Sequence, residues 1–345
     1  MKKNMLLGAA ALLAVFAALF IFISFRWERP STEPGGGKPK VIATIFPQYD
    51  FARAVGGGNI ELSLLLKPGT DSHSYSPSPQ DIIRIQNCDI FMYIGGKDDH
   101  WADKILDSFG SGKRPHVVKL IDAVTPVKDK HVEGMQEDHA HGHEHDEEHE
   151  HEDEKHDHAK DPEKHEHEHG HYDEHIWTSP KNAEKMAAAI KDALISADPK
   201  NRAAYEENFK KYSAELKRLD GDIRRMVDAS RRRKILFADR FPFRYMTDEY
   251  GLDYSAAFPG CAAESEASAA TVAYLIDVVK KENIPVVFHI EMSNEKTADT
   301  ICRETGAKKL MLHSCHNLSK DEIKNNETYI TLMRNNLKNL REALN

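Results

Sequence analysis

The 345-residue chain predicts an α/β protein of two lobes, each a parallel sheet covered by helices, joined by one long rigid linker helix. Three observations lead there. Short apolar runs alternate with helix-like segments over residues 40–123. The same alternation resumes after residue 233. Between the two halves, residues 182–225 are rich in Ala, Glu, Lys and Arg, which are strong helix formers. The length suits two domains of ordinary size plus one unusual insertion.

In chain order, residues 1–38 read as a membrane anchor or signal followed by a tether. Lys2 and Lys3 precede an uncharged run over residues 4–25. That pattern directs export and places the body of the chain outside the cytoplasm. The run is long enough to span a bilayer. No small-x-small cleavage site is clear after it, which favours an uncleaved anchor over a cleaved signal peptide. Residues 28–38, with Pro and three glycines, are the tether.

The N-terminal lobe is expected over residues 39–178. Strands are read at residues 40–46, 60–66, 89–94 and 117–123, with helices near 49–55 and 81–87. The linker helix occupies 179–232. Ser179-Pro180 suits its start, and Pro199 breaks or bends it. A helix of ~40 residues spans ~60 Å at 1.5 Å per residue, enough to join two lobes as a strut. The C-terminal lobe, 233–345, carries strands at 234–238, 286–290 and 308–312. Its helices are expected near 245–250, 265–282, 296–305 and 328–344.

The insertion is chemically distinctive. Fourteen of the twenty histidines lie between His131 and His175. Eighteen acids and three lysines put −15 into that window, so against a net charge of −9 the rest of the chain carries +6. Imidazole is the commonest nitrogen ligand for borderline divalent metals, and the acidic field concentrates cations. Residues 131–172 cannot build a core, so the tract is expected to collect metal at low affinity through His139, His141, His143, His145, His149, His151, His165, His167, His169 and His171. The plainer alternative is a solvated linker. No basic stripe with interleaved aromatics points to nucleic acid. Arg231, Arg232 and Arg233 read as a solvated helix end. Cys88, Cys261, Cys302 and Cys315 form neither a disulfide framework nor a zinc ribbon. One bridge, for example Cys302 with Cys315, stays open.

Ligand sites in open α/β sheets lie outside the carboxyl ends of the strands. His73 follows the second strand in PGTDSHSYSPSPQD. His175 borders structured sequence in YDEHIWTSP. Glu291 ends the strand PVVFHIE, and His289 shares its strand face. His313, Cys315 and His316 in LHSCHN make a weaker cluster after the last strand, at a spacing that fits no common zinc motif. There is no His-Glu-x-x-His run, no Gly-x-Ser-x-Gly elbow and no phosphate-binding glycine loop. The pattern is a binding constellation without an obvious catalytic one.

From about residue 39 to 345 the chain resembles the zinc-type (ZnuA-like, cluster A-I) metal-binding solute-binding proteins of bacterial ABC importers. The resemblance rests on PGTDSHSYSPSPQD, DEHIWTSP, PFRYMTDEYGL, VVFHIEMSNEKTADTICRETGAKKL and ETYITLMRNNLKNLREAL, together with the acid- and histidine-rich insertion. It implies four metal ligands in an interlobe cleft, two from each lobe. His73, His175 and Glu291 match three of them. At the remaining position, where members carry His or Glu, this chain has Arg240, whose guanidinium cannot bind a cation. Asp239, Cys261 or a water could fill the vacancy. The implied cargo is Zn2+, with Mn2+ the alternative, because imidazoles and one carboxylate suit zinc better than Mg2+ or Ca2+. The implied role is that of an extracytoplasmic receptor, monomeric and not an enzyme, delivering zinc to an ABC permease and its ATPase. The tract would act as antenna or valve. Competing expectations are a manganese or iron receptor, a metal-storage or adhesin surface protein, and a zinc hydrolase using Glu291 as base.

Overall fold

The first strand, β1 (Lys40–Ala43), shows how the fold is driven: Val41, Ile42 and Ala43 are buried in succession, as a strand covered on both faces requires. The computed structural model describes residues 37–70, 75–97, 99–110, 112, 114–136, 172–260, 262 and 266–345. The apolar run 4–25, His73, Cys261 and the tract from 137 to 171 lie outside the described residues. Among those described, no helix is long and apolar enough to cross a membrane.

After β1 come α1 (Phe46–Gly56), β2 (Glu61–Leu64), α2 (Pro79–Asn87), β3 (Ile90–Tyr93), α3 (His100–Ser108) and β4 (His116–Lys119). The four strands pair in parallel in the order β2-β1-β3-β4. Ser78 starts α2 by accepting the Asp81 N–H, while the Asp81 carboxylate accepts the Ser78 N–H. Then follow α4 (Pro180–Ala197) and α5 (Arg202–Asp228). The second lobe runs β5 (Lys234–Phe241), α6 (Arg244–Tyr250), β6 (Asp253–Pro259), α7 (Ala269–Glu282), β7 (Val286–His289), α8 (Lys296–Thr305), β8 (Lys308–Met311), α9 (Lys320–Lys324) and α10 (Tyr329–Leu344). Its parallel order is β6-β5-β7-β8.

The two sheets therefore repeat one plan. In each, the chain leaves a central strand to one side and returns on the other, creating a switch point at the strands' carboxyl ends. The outer faces have separate cores: Phe91, Ile85 and Leu106 on the first sheet, Leu236, Leu275 and Ile301 on the second. The inner faces share one core that includes Phe51, Trp177, Tyr205, Phe237, Phe288 and Tyr329. A shared apolar core of this kind holds two lobes together far more firmly than a polar domain interface does.

The expected single linker helix is two. α4 stops at Ala197, Asp198 leaves helical geometry, and Pro199–Asn201 forms a short 3-10 turn before α5. Pro199 has no N–H for the ladder, so the break falls there. α4 packs back on α5, and only α5, 27 residues and ~40 Å long, runs between the lobes. Three further elements escaped the sequence reading: β6, DYSAAFP, is poor in β-branched residues, and α3 and α9 are short, at nine and five residues. Cys302 and Cys315 are both free thiols, so the bridge considered between them is not formed.

Candidate metal centre

The carboxyl ends of both sheets face one cleft. It consists of two small chambers that share His175 and His316 as walls. Thr44, Ile45, Leu66 and Ile94, just past β1, β2 and β3, line the first. Arg240, Ile290, Glu291 and Ser314, at or past β5, β7 and β8, line the second. Their volumes, about 20 and 30 Å³, hold a water molecule or an ion and exclude an organic solute.

His175 is 1% exposed and follows directly on a buried acidic pair, Asp173 and Glu174. Asp173 Oδ1 accepts the His175 backbone N–H at 2.8 Å and lies 3.0 Å from its Nδ1. A carboxylate so placed is an acceptor, so it holds the proton on Nδ1 and leaves the lone pair on Nε2. Gly260 closes the other side of the ring: a Cβ there would lie 3.0 Å from His175 Cε1 and 3.0 Å from the Phe241 carbonyl oxygen. Trp177 packs beneath, its Nε1–H donating to the Ser314 carbonyl of the other lobe at 2.8 Å.

Glu291 lies two residues past the end of β7, with its side chain nearly buried. Oε2 accepts the Ser314 N–H at 2.7 Å; Oε1 accepts the Ser314 Oγ–H at 2.5 Å and the His316 N–H at 3.2 Å. A carboxylate offers about four lone-pair positions, so one, on Oε2, is left for a cation. Met292, next along, has φ +62°, a left-handed conformation uncommon outside glycine.

The other expected positions fall as follows. Arg240 does line the cleft, and β5 does shift register between Phe237 and Arg240. The irregularity leaves Asp239 buried within β5, where it accepts the Arg240 N–H at 2.8 Å. Burial raises the Asp239 pKa against that hydrogen bond. His289 is outside the cleft lining, its Nδ1 3.0 Å from the Ile290 carbonyl. His73 and Cys261 are outside the described residues, although Thr70 and Gly260, close to each in sequence, border the cleft. Among the described residues no three His, Cys, Asp or Glu side chains close around a common point as a metal requires.

Sequence reasoning underrated His316. Its ring stands edge-on to His175, centroids 5.6 Å apart, and borders both chambers. The available signal was its place after the last strand of a parallel sheet. The roots of the tract are also ordered at this seam. Lys128 bridges Tyr172, and Tyr245 of the second lobe binds both feet, accepting the Val127 N–H and donating to the Asp173 carbonyl. Gln136 donates its N–H to the Ala257 carbonyl at the end of the other sheet.

Two α/β lobes meeting strand end to strand end over an ion-sized cleft have the build of a solute-binding receptor, and the family that matches the chain is a receptor of the metal-ion class. Residues 41–343 match the family described as ZnuA, the periplasmic component A of a zinc-uptake complex, and the chain belongs to that family. It is 31% identical over 337 residues to the high-affinity zinc uptake system protein ZnuA of Bacillus subtilis, covering 96% of this chain and 97% of that one. It is also 31% identical over 345 residues to the zinc-binding protein AdcA of Streptococcus pyogenes, of whose length it spans 61%. The crystal structure of the Zn(II)-bound ZnuA-like domain of Streptococcus pneumoniae AdcA superposes with a TM-score of 0.70 at 25% identity, over 89% of this chain and 99% of that one.

Proposed function

We propose that the cleft takes Zn2+ as cargo, with His73, His175 and Glu291 among its donors, and that the loaded chain hands the ion to a membrane permease driven by its ATPase. One observation carries this reading: His175 walls both chambers of an ion-sized cleft, and the buried Asp173 carboxylate fixes its Nδ1, which orients the ring and raises the basicity of the other nitrogen. Imidazoles with one carboxylate suit zinc better than hard cations. The zinc-uptake and zinc-binding names of the relatives support the same cargo over Mn2+. Residues 4–25 hold the chain, a monomer, at the membrane. The histidine-rich tract is a low-affinity collector, and its near foot at Tyr172 stands three residues from His175.

Zinc titration tests the reading. Replacing His73→Ala together with His175→Ala abolishes tight binding while weak binding by the tract persists. Full tight affinity in that double variant contradicts the site. Deleting residues 131–172 keeps the tight site and lowers the number of ions bound; an unchanged stoichiometry ends the collector role. Competition with Mn2+ is expected to leave zinc in the cleft.

A further inference from the structure

We propose that His316 is the imidazole donor that completes the cleft, standing in for the side chain that Arg240 replaces. The inference rests on the zinc reading above and adds a ligand to it. The first argument is geometric. At Zn–N distances of about 2.0–2.1 Å, two imidazoles on one tetrahedral ion have centroids roughly 5 Å apart. The His175 and His316 rings are 5.6 Å apart and edge-on, so the pair is already close to that spacing. The ring also borders both chambers, whereas Asp239 and His289 line neither: Asp239 accepts the Arg240 N–H beside it, and His289 Nδ1 lies 3.0 Å from the Ile290 carbonyl.

The second argument is the backbone. Cys315, fully buried, has φ +61°, a left-handed conformation in a residue with a Cβ. Its N–H donates to His313 Nδ1, and the reversal directs the next residue into the cleft. Met292, beside Glu291, adopts the same conformation. Two such turns, each adjoining a side chain of the cleft, are the kind of strain that a binding site retains. The donors also share one frame, because the His316 N–H is bonded to Glu291 itself.

The third argument is the attachment to the opposite lobe. The His316 carbonyl accepts the N–H of Phe46 at the start of α1. Asn317 Nδ2 donates to the carbonyls of Lys67 and Thr70, on the loop that leads to His73. A ligand at 316 therefore sits on a segment pinned from both lobes, as a preorganised donor should be. A purely structural role is the competing account, since the ring also packs on Trp177 with centroids 5.0 Å apart.

The experiment separates the two. The full chain, loaded with one equivalent of zinc, is studied by zinc X-ray absorption and by chelator competition, as wild type, His316→Ala and His316→Phe. The phenylalanine keeps the packing on Trp177 but has no nitrogen. Both variants should lose one histidine neighbour at the zinc and at least ~100-fold in tight-site affinity, more than the 10–100-fold typical of an outer-shell change. Circular dichroism melts check folding, and if the alanine variant fails to fold, the phenylalanine variant decides. An unchanged histidine count in a folded variant overturns the proposal, whether or not affinity falls. If wild type takes up no tight equivalent, the cleft reading itself fails first; if His175→Ala loses a neighbour and His316→Phe does not, only the present inference falls.

Discussion

Asp173 touches no cargo, yet it decides what His175 can do. Its Oδ1 holds the backbone and the Nδ1 of that residue, while Gly260, where a Cβ would come within 3.0 Å of Cε1, lets the backbone pack against the ring's other side. Replacing Asp173→Ala frees the ring to change tautomer and orientation. Tight zinc affinity should then fall by ~10–100-fold, as for other outer-shell partners of metal-bound histidine. Chelator competition measures it, and an affinity within twofold of wild type would refute the role. His175 and Glu291 were legible in the sequence because strand ends and a structured border mark them. Asp173 was not, because it acts through a neighbour two residues away and only the turn between them brings the carboxylate onto the ring. Arg240 was legible as an anomaly, but its resolution was not. A register shift in β5 could have delivered Asp239 to the cleft, and only the fold reveals that it is buried outside the lining and bonded to the Arg240 N–H.

Among the elements, the hairpin of α4 and α5 shows where periodicity and local chemistry disagree. Composition favours one continuous helix, and Pro199 alone marks the break. The structure stabilises the break through Asp198, whose Oδ2 accepts the hydroxyl of fully buried Tyr205 at 2.8 Å and the side-chain N–H of Asn201 at 2.6 Å. Asp198→Ala leaves that hydroxyl buried without its acceptor. The loss should be about 1–3 kcal/mol of unfolding free energy, the usual cost of an unsatisfied buried polar group. Urea unfolding gives the value, and zinc affinity should hold, since the cleft is built from other elements. The strands that end at the cleft were readable because Val, Ile and Phe dominate them. β6 was not, because three of its four buried residues, Ser255, Ala256 and Ala257, sit equally well in other structure.

For the whole molecule, the lobes are joined by more than α5. The inner core is common to both, and the segment after β8 is bonded to the first lobe through Phe46, Gly69, Lys67 and Thr70. That segment is in turn braced by Glu322 of α9, so the clasp has an acid-sensitive support. Glu322 Oε2 accepts the Ser319 N–H at 2.7 Å, and Oε1 lies 3.1 Å from His313 Nε2. The close contact with His313, against the opposing effect of burial and with help from Ser319, lowers the Glu322 pKa from 4.5 to about 2. A carboxyl whose folded pKa lies below its unfolded value stabilises the fold fully above the unfolded pKa and loses that contribution as pH falls through the folded one. The support from Glu322 is thus complete above about pH 5 and fades between there and pH 2. Glu322→Gln should melt earlier than wild type at pH 7, with the two melting temperatures drawing together as the pH is lowered through 4 toward 2. Thermal melts at half-unit pH steps follow the difference. A gap that stays constant over that window would mean that the carboxylate contributes nothing in its charged form, and that the clasp stands on its backbone bonds alone.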